Sequence, residues 1–495
     1  MVYRLLCAGS NAHGQLALAH EDDSHHFARV PTFDLQQRFS NARGQLGPSL
    51  PADLPSLVFV PLKVAELARL AGLQDVVFDA VLVAACWETS FVVLRPRGGN
   101  GSDVLLSFGA NDWGERGCAA PSFAVPSMVD LAGAVAGPGK GKEAEPRIRV
   151  LQLKAGPRHI VALIETYVLG NLECCLLGWG ASRHGQLGAA SPAASFPKIT
   201  NTPRPIPLPS LFSAKGVIDL AIGRDHTVVL LQQPSEETSP TTEGRSLLLL
   251  GSNKHGQLGS TCATAVGDGD VPTDSASRPQ RQIPSQNLLS LFDFEHIIPN
   301  TSLYDIKAVD CTWNSTFLVL SPRPHGLSSP STATAEPAQP LVVAFGLNSH
   351  GQIGTCDDTS PQATETTLSA RQPILSGPHL IRLPSPPSTA STSSTFFDIE
   401  LACGSEHVLA LVQPNQMHHN IENECATHAA VYGWGWNEHG NLGLSGQSAG
   451  EDLADVWEPR RIWSSEEHGS TSEVVDVWAG NATSWIQVKG EVGGK

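Results

Sequence analysis

Positive charge is scarce in this chain: 32 lysines and arginines stand against 48 acids in 495 residues, a formal net charge of -16. Neutralising phosphates requires a basic patch, so direct binding to nucleic acid or to an anionic membrane surface is not expected. Neither end carries a basic tail. No run of about 18 apolar residues exists to span a bilayer, and no signal peptide is expected. The expectation is a soluble protein of the cytoplasm, with the nucleus also open to it. The ten cysteines form no C-x-x-C pair, which leaves no readable zinc or thioredoxin-type motif. Cys7, Cys86, Cys311 and Cys403 fall inside apolar runs, where a thiol behaves as a small hydrophobe. No Ser/His/Asp order, P-loop or dinucleotide fingerprint stands out either. A non-enzyme without cofactor or metal is therefore expected.

What the chain does have is repetition. One motif occurs six times: LLCAGSNAHGQLAL from Leu5, LLSFGANDWGERGC from Leu105, LLGWGASRHGQLGA from Leu176, LLLLGSNKHGQLGS from Leu247, VVAFGLNSHGQIGT from Val342 and VYGWGWNEHGNLGL from Val431. Its leading glycines are Gly9, Gly109, Gly180, Gly251, Gly346 and Gly435. Five residues after each stand Gly14, Gly114, Gly185, Gly256, Gly351 and Gly440. A second motif alternates with the first, as in LKAGPRHIVALI from Leu153 and LAIGRDHTVVLL from Leu220. Its other copies begin at Val83, Val309, Leu401 and Val477.

Gly-x-Asn-x-x-Gly between apolar runs supplies positive-φ positions and a side chain that caps its own turn, which is hairpin chemistry. The flanking runs are short, β-branched and continuous, as in strands buried on both faces. One motif of each kind makes a four-stranded sheet, and such sheets bury their faces by stacking radially. The first motif opens the chain and the second closes it. The copies therefore pair only if the C-terminal strands join the N-terminal ones in a shared closing blade. The predicted architecture is all-β: a single closed β-propeller of six blades, with room for a degenerate seventh in 19–74 or 356–398.

Residues 233–245, 260–285, 322–340 and 356–395 are rich in Ser, Thr, Pro and Gly and read as flexible loop insertions. Residues 61–72 have the spacing of one short helix.

The paired motifs resemble the regulator-of-chromosome-condensation repeat family, of the form A-x-G-x-x-H-T-x-A-L followed by W-G-x-N-x-x-G-Q-L-G. The match is strong at 180–188, 251–259 and 346–354 and weakens at 86–90 and 312–316, where glycine and histidine are both missing. The opening, Gly9-Ser10-Asn11 with Gly14-Gln15-Leu16 and His20-Glu21-Asp22-Asp23, is similar to the fungal alpha-tubulin suppressor proteins. That resemblance implies a monomeric accessory scaffold of the Elongator and diphthamide pathways, bound to a small CSL-type zinc-finger protein. The alternatives it leaves open are nucleotide exchange on the small GTPase Ran and a regulatory propeller in ubiquitin ligation.

Candidate contact residues are few. Trp87 and Trp313 occupy the same turn position in two blades, where an aromatic tip either anchors a partner or packs on a neighbouring turn. Asp22 and Asp23 offer an acidic run to a basic partner, or are simply solvated. His13, His184, His255, His350 and His439 share one turn position. Copies on separate blades do not converge as metal ligands must, so a local turn role accounts for them.

Overall fold

A computed structural model of the chain describes residues 2–12, 15–18, 20, 22–30, 63–99, 101–119, 125–136, 146–168, 170–188, 197–233, 244–259, 286–298, 300–323, 339–354, 377–384, 397–414, 429–444, 453–464 and 473–490. They form six antiparallel four-stranded blades in a ring. Blade 1 comprises Phe78–Ala85, Thr89–Pro96, Val104–Gly109 and Ser127–Met128. Blade 2 comprises Arg147–Ala155, His159–Val168, Asn171–Ala181 and Ile199–Pro205. Blade 3 runs through Val217–Ile222, His226–Gln232, Arg245–Gly251 and Gln286–Ser290. Blade 4 uses Tyr304–Cys311, Ser315–Pro322, Leu341–Gly346 and His379–Ile381. Blade 5 has Phe397–Cys403, His407–Pro414, Ala430–Gly435 and Val456–Ser464. Blade 6 is shared between the two ends of the chain: Glu473–Ala479 and Thr483–Gly490 pair onward to Val2–Gly9 and Ser24–Arg29. The whole of Val2–Gly9 is in register with Thr483–Gly490, so the closure expected from the order of the motifs is observed.

The turn chemistry is as the motif dictates. The six leading glycines all have φ between +99° and +127°. At Gly251 a Cβ would lie 2.3 Å from the Asp225 carbonyl oxygen, so both backbone angle and space require glycine. The asparagine two residues on closes the loop: Asn253 Oδ1 accepts the Leu258 N–H at 2.9 Å and Asn348 Oδ1 the Ile353 N–H at 3.0 Å. Asn11, Asn111 and Asn437 repeat that bond. In blade 2 the position is Ser182, whose hydroxyl instead accepts Arg204 Nη2 at 3.0 Å.

Apolar clusters stack the blades. Phe91 and Trp179 share one between blades 1 and 2, Leu163 and Leu248 one between 2 and 3, and Leu249 and Val343 one between 3 and 4. Phe317, Trp434 and Ile486 belong to a cluster running through blades 4, 5 and 6. Among the described residues the clusters of blade 6 (Cys7, Leu16) and blade 1 (Phe78, Val92, Leu106) are separate. The predicted short helix is Val64–Leu70, and it buries Leu67 and Ala68 in the blade 1 cluster. The insertion read at 356–395 contains a strand: His379–Ile381 is the outer strand of blade 4 with Ile381 buried, because a three-residue strand is too short to show periodicity amid Ser and Pro. The described parts of 19–74 and 356–398 form no further blade: Ser24–Arg29 is the outer strand of blade 6, Val64–Leu70 the helix and His379–Ile381 the outer strand of blade 4, while the rest of both stretches and most of the four insertions lie outside the described residues.

Candidate functional site

The turns between the first two strands of all six blades meet at one end of the ring's axis. Cys86–Trp87, Gly156–Pro157, Thr312–Trp313, Gly404–Ser405 and Gly480–Asn481, with Ile222 of blade 3, line a cavity of about 200 Å³ there. Glycine recurs because the next blade's backbone presses in: a Cβ on Gly156 would lie 2.6 Å from the Gly223 carbonyl oxygen. Backbone hydrogen bonds link four turns in sequence. Arg224 N–H donates to Trp313 O (2.9 Å), Trp313 N–H to Ser405 O (2.9 Å), and Ser405 N–H to Gly480 O (3.1 Å). Pro157 has no N–H to give.

Trp87 and Trp313 come together across the ring. Blades 1 and 4 stand opposite each other in the ring, and their two rings meet over the axis with centroids 5.6 Å apart. Trp87 remains 61% exposed, and Trp313 is half-buried. Beneath them Thr312 and Ser405 are buried, and neither side-chain hydroxyl has a hydrogen-bond partner among the described residues. Cys86, Cys311 and Cys403 also line this region. Burial pushes all three thiols well above the usual range, which keeps them protonated and unreactive.

Deeper in the channel lies a second cavity of about 320 Å³, lined by Lys154, Asp219, Lys307, Asp310, Asp398 and Glu400 among others. Its carboxylates also tie inner strands together. Asp219 accepts the Val309 N–H at 3.1 Å, and Asp310 accepts the N–H groups of Cys311 (2.8 Å) and Cys403 (2.9 Å). Desolvation pushes the Asp310 carboxyl up to about 6.

Around the mouth the Asn-x-His-Gly turns form an outer ring, and its charge is divided. Arg183 and Lys254 of this ring, with Arg158 and Arg224 of the inner turns, lie on blades 2 and 3 beside Asp225; Glu438, Asp455 and Asp23, with Glu406 of an inner turn, lie on blades 5 and 6. Arg158 stacks over Trp113 at 4.6 Å, and Arg224 pairs with Asp225 at 3.1 Å. Two of the described turn histidines are tied to the neighbouring acids, and His13 lies outside the described residues. His350 Nδ1 pairs with Asp455 at 2.9 Å, and His439 Nδ1 with Asp23 at 2.8 Å. Among the described residues no group of three His, Cys, Asp or Glu is placed to hold a metal ion. Asp23 thereby ties blade 6 to blade 5 and also accepts the Asn11 N–H at 2.7 Å, whereas Asp22 is exposed.

Three residues that the sequence marked only as motif positions prove to be staples between blades. His159, His226 and His407 are fully buried. Their Nε2 atoms hydrogen-bond Thr227 Oγ1 (2.9 Å), Thr316 Oγ1 (3.2 Å) and Ser484 Oγ (3.0 Å), each on the following blade. Desolvation pushes their pKa values down to about 4, 3 and 4, so all three are neutral.

Comparison with known proteins agrees with this geometry. Residues 175–230 and 429–485 match the model of the regulator of chromosome condensation (RCC1) repeat. A bovine secretion-regulating guanine nucleotide exchange factor is 23% identical over 475 residues, covering 92% of this chain and 78% of that protein. The crystal structure of human WBSCR16 superposes with a TM-score of 0.55 at 15% identity, covering 99% of this chain and all of that one. Prp20p of Saccharomyces cerevisiae, a protein studied for its binding to Gsp1p and histones, is similar at 16% identity with a TM-score of 0.40, covering 99% and 92%. The chain is a β-propeller that carries RCC1-type repeats in residues 175–230 and 429–485.

Proposed function

We propose that this chain is a non-catalytic platform whose turn-bearing face docks one protein partner. The tryptophan pair carries the reading: two aromatic rings are held over the axis, and one of them is largely exposed. Large aromatic side chains at the centre of a surface are the residues that dominate binding energy when a partner excludes water around them. The divided ring of basic and acidic turns would fix the partner's orientation. Following the resemblance of its opening residues, the partner is a small CSL-type zinc-finger protein, and the complex serves tRNA wobble-uridine modification by Elongator and diphthamide synthesis. The protein then acts as a monomer in the cytoplasm, with access to the nucleus. A second reading, guanine-nucleotide exchange on a small GTPase such as Ran, is favoured by the similarity to the bovine exchange factor along most of the chain. Fold alone does not choose between them.

The test is affinity capture by the tagged full chain at physiological salt, beside a Trp87→Ala/Trp313→Ala variant, with captured proteins identified by mass spectrometry. Recovery of a CSL-type zinc protein with Elongator subunits, lost in the variant, supports the scaffold. Recovery of a small GTPase whose nucleotide release the chain accelerates establishes the second reading. Partners unchanged by the double variant would place the docking surface elsewhere.

A further inference from the structure

We infer that the axial mouth is a receptor for a single arginine side chain presented by the docked protein. The inference rests on the reading above that this face binds a protein, and it specifies what that protein must insert. Three features of the mouth lead to it. The Trp87 and Trp313 rings stand over the opening, and a guanidinium, planar and weakly hydrated, stacks on indole faces better than an ammonium does. Thr312 and Ser405 form part of the cavity wall with buried hydroxyl oxygens that no described group satisfies. A buried hydroxyl left unpaired is destabilising, and each of these oxygens can accept one guanidinium N–H. Finally, the channel behind them holds the compensating charge.

Of the six charged residues lining that channel, Asp219, Asp310, Asp398 and Glu400 are acids and Lys154 and Lys307 are bases. Lys307 is already paired with Asp398. That leaves three carboxyl groups against one lysine, and Glu400 also feels the charge of Asp476. Asp310 lies directly below the mouth, since its neighbour Cys311 lines the upper cavity and its carboxylate holds the N–H of Cys403, which lines it too. An arginine entering beside the touching rings, along the exposed Trp87 ring, would meet the two hydroxyls first and the field of Asp310 beyond them. The arginines near the rim do not fill this role, because Arg158 stacks on Trp113 and Arg224 pairs with Asp225.

The experiment titrates the full chain, labelled with 5-fluorotryptophan, with acetyl-arginine amide, acetyl-lysine amide and the neutral isostere acetyl-citrulline amide. Fluorine NMR is the readout, and the Trp87 and Trp313 lines are assigned with Trp87→Phe and Trp313→Phe. Arginine amide is expected to shift those two lines saturably, with citrulline amide weaker by about tenfold and lysine amide in between. Ser405→Ala and Asp310→Asn should each weaken arginine binding by about threefold or more, the first by removing an acceptor and the second a charge. An equal response to citrulline, or no saturable shift at either tryptophan, overturns the proposal and leaves the hydroxyls to water. The comparison of peptides on the unsubstituted protein stands even if a variant fails to fold. If capture of a protein partner depends on Trp87 and Trp313 while arginine amide gives no response, the docking face stands and only the arginine receptor falls. If arginine amide binds but capture ignores the tryptophans, the docking reading falls.

Discussion

Acidification from about pH 7.5 to 5.5 is expected to cost about 3 kcal/mol of stability through the three buried histidines and Asp310 alone, a large share of the usual 5–15 kcal/mol. The cause is the set of buried histidine staples. His159, His226 and His407 have pKa values of about 4, 3 and 4 in the folded chain. In the unfolded chain each returns to about 6.5, so between the two values the unfolded state binds more protons and stability falls as pH falls. At pH 5.5 each histidine accounts for somewhat more than about 1 kcal/mol, roughly 4 together. Asp310 works in the opposite direction. Its folded value of about 6 lies above the ordinary aspartate range, so its protonation favours the folded chain as pH drops. That returns roughly 1 kcal/mol at pH 5.5, leaving the net loss from these four groups near 3. Urea titrations followed by tryptophan fluorescence at several pH values measure the net effect. Histidine-selective NMR measures its cause directly, with three rings still neutral at pH 5. His226→Gln should remove roughly a third of the histidine share of the pH-dependent loss. A urea midpoint that stays flat from pH 7.5 to 5.5, or three histidines titrating near 6.5, would refute the reasoning.

Replacing Trp87 and Trp313 together by alanine should change stability by no more than about 1.5 kcal/mol, because the pair touches at a solvent-exposed mouth. The same double variant should abolish partner capture, so thermal melts and capture together separate structure from binding. Gly251→Ala should cost about 2 kcal/mol or more in urea titrations, since a Cβ there meets the Asp225 carbonyl at 2.3 Å and φ is +114°. Against its desolvation, hydrogen bonds from Arg95 and Val150 hold the Asp103 carboxyl below the usual range, and Arg149 adds a contact at 2.9 Å. Asp103→Ala leaves both arginines without their acid between blades 1 and 2 and should cost about 3 kcal/mol by the same assay.

Local chemistry by itself determined the blades. Glycines five residues apart, an asparagine between them and uninterrupted Leu, Val and Ile runs leave few alternatives to tight-turned strands buried on both faces. The order of the motifs along the chain even required Val2–Gly9 to close onto Thr483–Gly490, as it does. Only the tertiary structure decided what the turns do together. Nothing local distinguishes Trp87 from Trp313 as partners, because their contact depends on the number of blades separating them around the ring. The same is true of the motif histidines: a residue that reads as a turn signature becomes a neutral staple when the next blade offers a hydroxyl, as Thr316 does to His226. His379–Ile381 was hidden for a different reason, since a three-residue outer strand is specified by the edge it completes and carries no period of its own. The unpaired hydroxyls of Thr312 and Ser405 became visible only with the ring assembled, because burial without a partner is a property of surroundings drawn from all six blades.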